Sequence, residues 1–169
     1  MRHSSQGTSK EKGYLSFFCK KKDKPTTYYV KLQDAYAAEN GTVGLWAAIG
    51  YIAPGAKSSS DASGSTTSFT YTGATTVTVS CPEGYSNSSG TCTNTEGKTA
   101  SATGGSVTEG FKATSLAKLN DCVMGTTWTI DATTTTGVVE YTGKIGGKEI
   151  ASADAGCKAL TPQFGAIGK

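Results

Sequence analysis

Residues 26–55 read TTYYVKLQDAYAAENGTVGLWAAIGYIAPG, and the reading of this stretch decides the fold. Its first half is the one part of the chain with the pattern of a solid helix. At about 100° per residue, Tyr28, Tyr29, Leu32, Ala35 and Tyr36 fall on one stripe, with Lys31, Gln33 and Asp34 away from it. Pro25 suits a first helical turn, which makes Asp23, Thr26 and Thr27 the entry residues. Asn40-Gly41 supplies the left-handed stop that a helix C-terminus needs. A helix of about 15 residues, about 22 Å long, is marginal alone in water and needs a surface to pack on. Its back carries Val30, Ala37 and Ala38, small enough to meet a second partner. Residues 44–55 follow as the most apolar loop of the chain. Two glycines and Pro54-Gly55 favour a folded loop over the seam between helix and sheet. Tyr28, Tyr29, Leu32, Ala35, Tyr36, Trp46 and Ile49 are therefore the expected helix–sheet packing residues, with Tyr51 also in the core.

The rest of the chain reads as strands and turns. Residues 56–68 are a polar linker or surface loop. Residues 69–72 (FTYT) alternate as a strand should, and residues 75–80 (TTVTVS) resume with Val77 and Val79 on one face. Residues 93–110 read as polar and irregular, and residues 111–119 as an irregular lead to Cys122. Residues 126–131 and 137–142 are two strand candidates, joined by a connection that is long for a tight hairpin. An edge strand is expected near residues 148–150.

Composition supports an exported β-rich chain. Apolar residues make up 36% of 169 and charged residues 17%, so low hydrophobicity is not exchanged for charge. With a net charge of only +3, this is not the profile of a disordered chain. Thr, Ser and 22 Gly fill the difference. The basic residues crowd into the first 24 positions, where a solvated tail explains them better than nucleic-acid binding, since no Arg follows Arg2.

Five cysteines stand at 19, 81, 92, 122 and 157. No pair has CxxC spacing and the only histidine is His3, which speaks against a zinc site. Disulfides among the last four imply an oxidising compartment and leave Cys19 as the odd thiol. Four cysteines allow three pairings, of which Cys81–Cys92 with Cys122–Cys157 is preferred here. These would close loops worth about 2.7 and about 3.8 kcal/mol on the chain-entropy model. The apolar patch at residues 14–19 is too short for a signal-peptide core or a membrane span.

Catalytic chemistry is not legible. The lone histidine gives a Ser or Cys nucleophile no base. Asp34 with Glu39, and Asp131 with Glu140, read as exposed charges rather than paired catalytic carboxylates. Residues 143–148 (GKIGGK) do not fit a phosphate-binding loop, and Asp61, Asp121, Asp131 and Asp154 lack calcium-loop spacing. Asn40 and Asn87 head formal glycosylation sequons. No enzyme activity, cofactor or metal is expected.

The helix ending in residues 34–42 (DAYAAENGT), with the apolar loop that carries Trp46 and Ile49-Gly50-Tyr51, resembles the bacterial type IV pilins over about residues 24–169. The resemblance implies a long helix whose second half packs on a four-stranded antiparallel sheet. It also implies a C-terminal disulfide stapling a surface loop, a place that Cys122 and Cys157 fit. Residues 157–164 (CKALTPQF) are similar to the tail of some pilins. The start departs from the pattern. Pilins have a basic leader ending in Gly, then Phe-Thr-Leu-x-Glu and about 20 apolar residues, enough for a bilayer. Here Gly13 is followed by Tyr14-Leu15-Ser16-Phe17-Phe18, with Phe18 in the glutamate's place and lysines from Lys20 cutting the run off. Membrane anchoring is not encoded in these residues.

The expectation is thus an α+β fold, an N-terminal α-helix packed on an antiparallel β-sheet in pilin-like fashion, with disulfide-closed loops. Residues 1–24 would be a flexible basic leader, non-native or misassigned, and residues 25–169 the pilin-like globular domain. The implied function is that of a structural subunit of a type IV pilus or pilin-like extracellular filament at the bacterial cell surface. Its partners would be copies of itself or other pilins, and surfaces or glycans, with no nucleic acid. The alternative is a secreted, disulfide-stapled adhesin or binding module that does not assemble.

Overall fold

A twelve-residue strand, β7 (Gly104–Ser115), forms the axis of the chain. The computed structural model describes residues 25–169; the leader expectation and Cys19 lie outside the described residues. Along one edge of β7 run β2 (Phe69–Thr72) and β3 (Thr78–Ser80), each antiparallel to it. Beyond β2 lies β1 (Ser63–Ser65). The other edge pairs with β8 (Thr127–Thr135), followed by β9 (Val138–Ile145) and the short β10 (Lys148–Glu149). These seven strands form one antiparallel sheet. A second, three-stranded sheet holds β4 (Ser86–Ser88), β5 (Thr91–Thr93) and β6 (Thr99–Ala100). The helices are α1 (Pro25–Asn40), the single turn α2 (Trp46–Ile49) and α3 (Ala155–Leu160), with 3-10 turns at Ile150–Ser152 and Phe164–Ala166.

The chain is therefore mostly β, with two antiparallel sheets and one helix longer than two turns among the described residues. This overturns the expected pilin-like α+β architecture of an N-terminal helix packed on an antiparallel sheet. The physical reason lies in the face of α1. It buries Thr26, Tyr29, Gln33 and Ala37, a narrow stripe in which two of four residues are polar. Such a stripe cannot supply the wide apolar face that a helix layer needs. The core is made instead by strands, loops and tail. Cross-strand register sets Tyr71 opposite Ala113, Ala113 opposite Trp128, and Trp128 opposite Ile145, so one sheet face is apolar across four strands. Trp46, Tyr51, Ala153, Cys157 and Phe164 complete that core from outside the sheet. Rings pack at tilted and edge angles, as between Phe69 and Trp128 at 5.9 Å and Tyr29 and Tyr51 at 5.7 Å.

Several segments differ from expectation. Against the expectation of irregular structure over residues 93–110 and 111–119, residues 104–115 form β7 and residues 99–100 form β6. The pairing with β8 shifts between Val107 and Phe111, and Glu109 sits in the bulge at φ 49°. The bulge turns the Gly110 carbonyl toward Trp46, whose Nε1–H donates to it at 2.8 Å. A side chain on Gly110 would collide with the Tyr29 hydroxyl, so glycine is required there. The connection from β8 to β9 is a two-residue turn, not a long one: Thr135 faces Val138, and Thr136 and Gly137 both have positive φ, 57° and 82°. The same turn chemistry joins β4 to β5 through Ser89-Gly90 and β9 to β10 through Gly146-Gly147. Positive φ at both central residues matches the right-handed twist of the flanking strands. Residues 46–49 form a helical turn rather than irregular loop, ended by Gly50 in the left-handed region.

Candidate functional site

Both disulfides of the preferred pairing form, Cys81–Cys92 and Cys122–Cys157. The second fixes the tail. Asp154 accepts from the backbone N–H groups of Gly156 and Cys157 and caps α3, and the bridge ties α3 to the loop before β8. Trp128 then donates its indole N–H to Thr161 at 3.1 Å. The first disulfide attaches the three-stranded sheet to the end of β3. Within that sheet Cys92 alone is buried. Disulfides form and persist in oxidising compartments. No helix among the described residues is long and apolar enough to cross a membrane.

The expected packing residues divide. Tyr29, Trp46 and Ile49 are in the core, Leu32 and Tyr36 are half-buried against it, and Tyr28 is 44% exposed. Ala35 is exposed. Tyr28 and Ala35 are thus corrected: the buried stripe is rotated by about one residue, and Gln33 occupies its centre. Gln33 is fully buried because each end of its amide is used. Its Nε2 donates to the Tyr29 hydroxyl at 3.0 Å and to the Gly44 carbonyl at 2.7 Å, and its Oε1 accepts from Gly44 N–H at 3.0 Å. This clamp sets the apolar loop against the helix. A glutamine between Leu32 and Asp34 carries no sequence signal for such a role, because its backbone partners at Gly44 lie eleven residues away.

Two concavities among the described residues flank α1. One, of about 410 Å³, lies between the first half of α1 and the C-terminal tail, walled by Val30, Leu160, Pro162, Phe164 and Ile167 with no charged residue in its lining. Thr27 stands exposed on its rim. The other, of about 400 Å³, lies where the C-terminal end of α1 meets the three-stranded sheet and is predominantly polar.

Asp131, Lys144 and Asp34 serve structure. Asp131 accepts from Lys144 Nζ at 2.6 Å and from the N–H of Glu109 in the bulge at 2.7 Å. The Asp131 carboxylate holds the Lys144 ammonium above its ordinary range. Asp34 accepts the Tyr141 hydroxyl at 2.8 Å, which also reaches the Val30 carbonyl. Burial pushes the hydroxyls of Tyr29, Tyr51 and Tyr71 above the ordinary tyrosine range. No group of three His, Cys, Asp or Glu among the described residues could hold a metal. Asp131 and Glu140 stand on neighbouring strands, but Asp131 is engaged by Lys144. The chain matches no protein-family model, no curated protein and no solved structure.

Proposed function

We propose that this chain is an exported structural subunit that works by contact, assembling with copies of itself into an extracellular filament of the type IV pilus kind. The observation that carries the reading is the uncharged apolar groove between α1 and the tail. On α1 itself, Tyr28 is a large apolar side chain left half in solvent. Apolar surface rimmed by polar residues is what a subunit contact consumes. The two disulfides support an extracellular life, and the reading rests on them and on the groove rather than on an α+β architecture. Exposed Val123 and Met124, beside the Cys122 bridge, are further apolar surface that a filament would cover.

Negative-stain microscopy and sedimentation of the oxidised chain test this. Filaments or a concentration-dependent polymer are expected, and Thr27→Arg, which places a charge on the exposed rim of the groove, should abolish them without unfolding the subunit. A chain that stays monomeric at every concentration, or a Thr27→Arg variant that assembles unchanged, contradicts the proposal. The second reading, a stapled binding module that does not assemble, draws on the polar cleft at the other end of α1.

A further inference from the structure

The polar cleft lies between the C-terminal end of α1 and the three-stranded sheet. Helix α1 ends as expected at Asn40-Gly41: Gly41 N–H donates to the Ala37 carbonyl, and Gly41 adopts φ 72°. The Ala102 carbonyl lies so close that any side chain at Gly41 would meet it, so the helix end is seated directly on the segment leaving β6. The cleft opens between them. Its lining includes the half-buried Tyr36, the exposed Glu39 and Asn40, and, from the small sheet and the segment leaving it, Thr91, Thr99 and Ser101. Asn40 spends one amide hydrogen on the Tyr36 carbonyl at 3.0 Å, which fixes the group in place. Glu39 takes part in none of the ion pairs among the described residues.

The chemistry of this lining selects a class of ligand. No Lys or Arg lines the cleft, so phosphates, sulfates and nucleotides find no counter-charge. One carboxylate is too few for a hard cation, which takes six or more oxygens or water in their place. The lining is too polar for an acyl chain. A neutral polyhydroxyl ring fits each group: the carboxylate accepts two hydroxyls, the amide accepts one, the Thr and Ser hydroxyls donate or accept, and the Tyr36 ring offers an apolar wall for a sugar's C–H face. The volume of about 400 Å³ falls in the range of about 300–1,000 Å³ that small-molecule sites occupy. We propose that this cleft binds a neutral sugar residue, as a free saccharide or as the end of a surface glycan, with Glu39 as the principal hydrogen-bond acceptor and Tyr36 as the stacking wall.

This inference stands apart from filament assembly: a chain that polymerises and binds no sugar overturns it alone. The test is a titration of the full-length oxidised chain, followed by amide chemical shifts, with galactose, glucose, mannose and N-acetylglucosamine in turn. At least one should shift the amides of residues 36–42 and 99–102 saturably in the millimolar range. Glu39→Ala, at an exposed position that leaves the fold intact, should weaken that binding about tenfold or more, the worth of one charge-assisted hydrogen bond. Glu83→Ala, exposed and outside the cleft, should leave it unchanged. No saturable shift at these amides with any of the four, equal loss in both variants, or stronger binding of a simple alkylamine than of any sugar would overturn the proposal.

Discussion

The two sheets of this molecule are held together by different forces. In the seven-stranded sheet, β7 and β8 each place buried side chains along one face, and Phe111, Trp128, Ile130 and Ile145 are almost wholly removed from water. The three-stranded sheet buries Cys92 and little else; all three residues of β4 are exposed. Three short strands without an apolar face do not stand alone in water. The small sheet persists because Cys81–Cys92 ties it to β3, because Thr103 donates to the Ser80 carbonyl at 2.9 Å, and because the helix end sits on Ala102. A core stabilises through the area it removes from water, whereas a staple stabilises by shortening the unfolded chain's reach. The first resists reductant and the second does not.

The comparison breaks most severely at Trp128. Trp128→Ala should cost about 3–5 kcal/mol and unfold the large sheet as one unit, read by urea denaturation. A loss near zero would mean that the shared core is not what holds the seven strands. Next, replacing Cys122 and Cys157 by Ser should cost about 3.8 kcal/mol from loop entropy and more from burying two hydroxyls in the core, because the bridge closes the longer loop and anchors the tail over Trp128; the shift of the thermal midpoint measures it. A loss confined to α3 and the tail would show that the tail is an appendage of the core and not part of it.

Alkali acts on the core of the large sheet. The buried hydroxyls of Tyr29 and Tyr51 keep their protons above the ordinary value of 10.0, while the unfolded chain releases them there. Stability from these groups is complete below about pH 10 and falls as pH rises, by about 1.4 kcal/mol for each group by about pH 11. Ionisation of the buried tyrosines, followed at 295 nm, should therefore coincide with unfolding of the large sheet. Ionisation of all tyrosines near pH 10 with the fold intact would place these hydroxyls in water. The smallest effect is expected for Cys81→Ser with Cys92→Ser, at most about 2.7 kcal/mol and local to the small sheet.

What the sequence disclosed follows from where each signal is stored. The helix stop at Asn40-Gly41, the alternation of β2 and the core places of Trp46, Ile49 and Tyr51 are local patterns, and they were legible. The Thr-, Ser- and Gly-rich composition pointed to β structure, but the weight given to one helix pointed to an α+β fold, and that was wrong. The face of α1 depends on Gln33, whose burial is decided by Gly44 far along the chain. Strand β7 was hidden because Gly104-Gly105 and the bulge at Glu109 break its alternation, although pairing on both edges makes it the axis of the sheet. The turn at Thr136-Gly137 was missed because Thr is an uncommon residue at positive φ. The polar cleft was invisible in sequence, since Tyr36, Glu39 and Asn40 are separated from Thr91 and Thr99 by more than fifty residues.

Hydrogen exchange followed by mass spectrometry, on the oxidised chain and on the Cys81→Ser, Cys92→Ser variant, tests the division between core and staple most directly. In the variant, the amides of β4, β5 and β6 should lose their protection while those of β7, β8 and β9 keep theirs. Equal protection of the small sheet in both proteins, or loss of protection in both sheets together, would contradict the account.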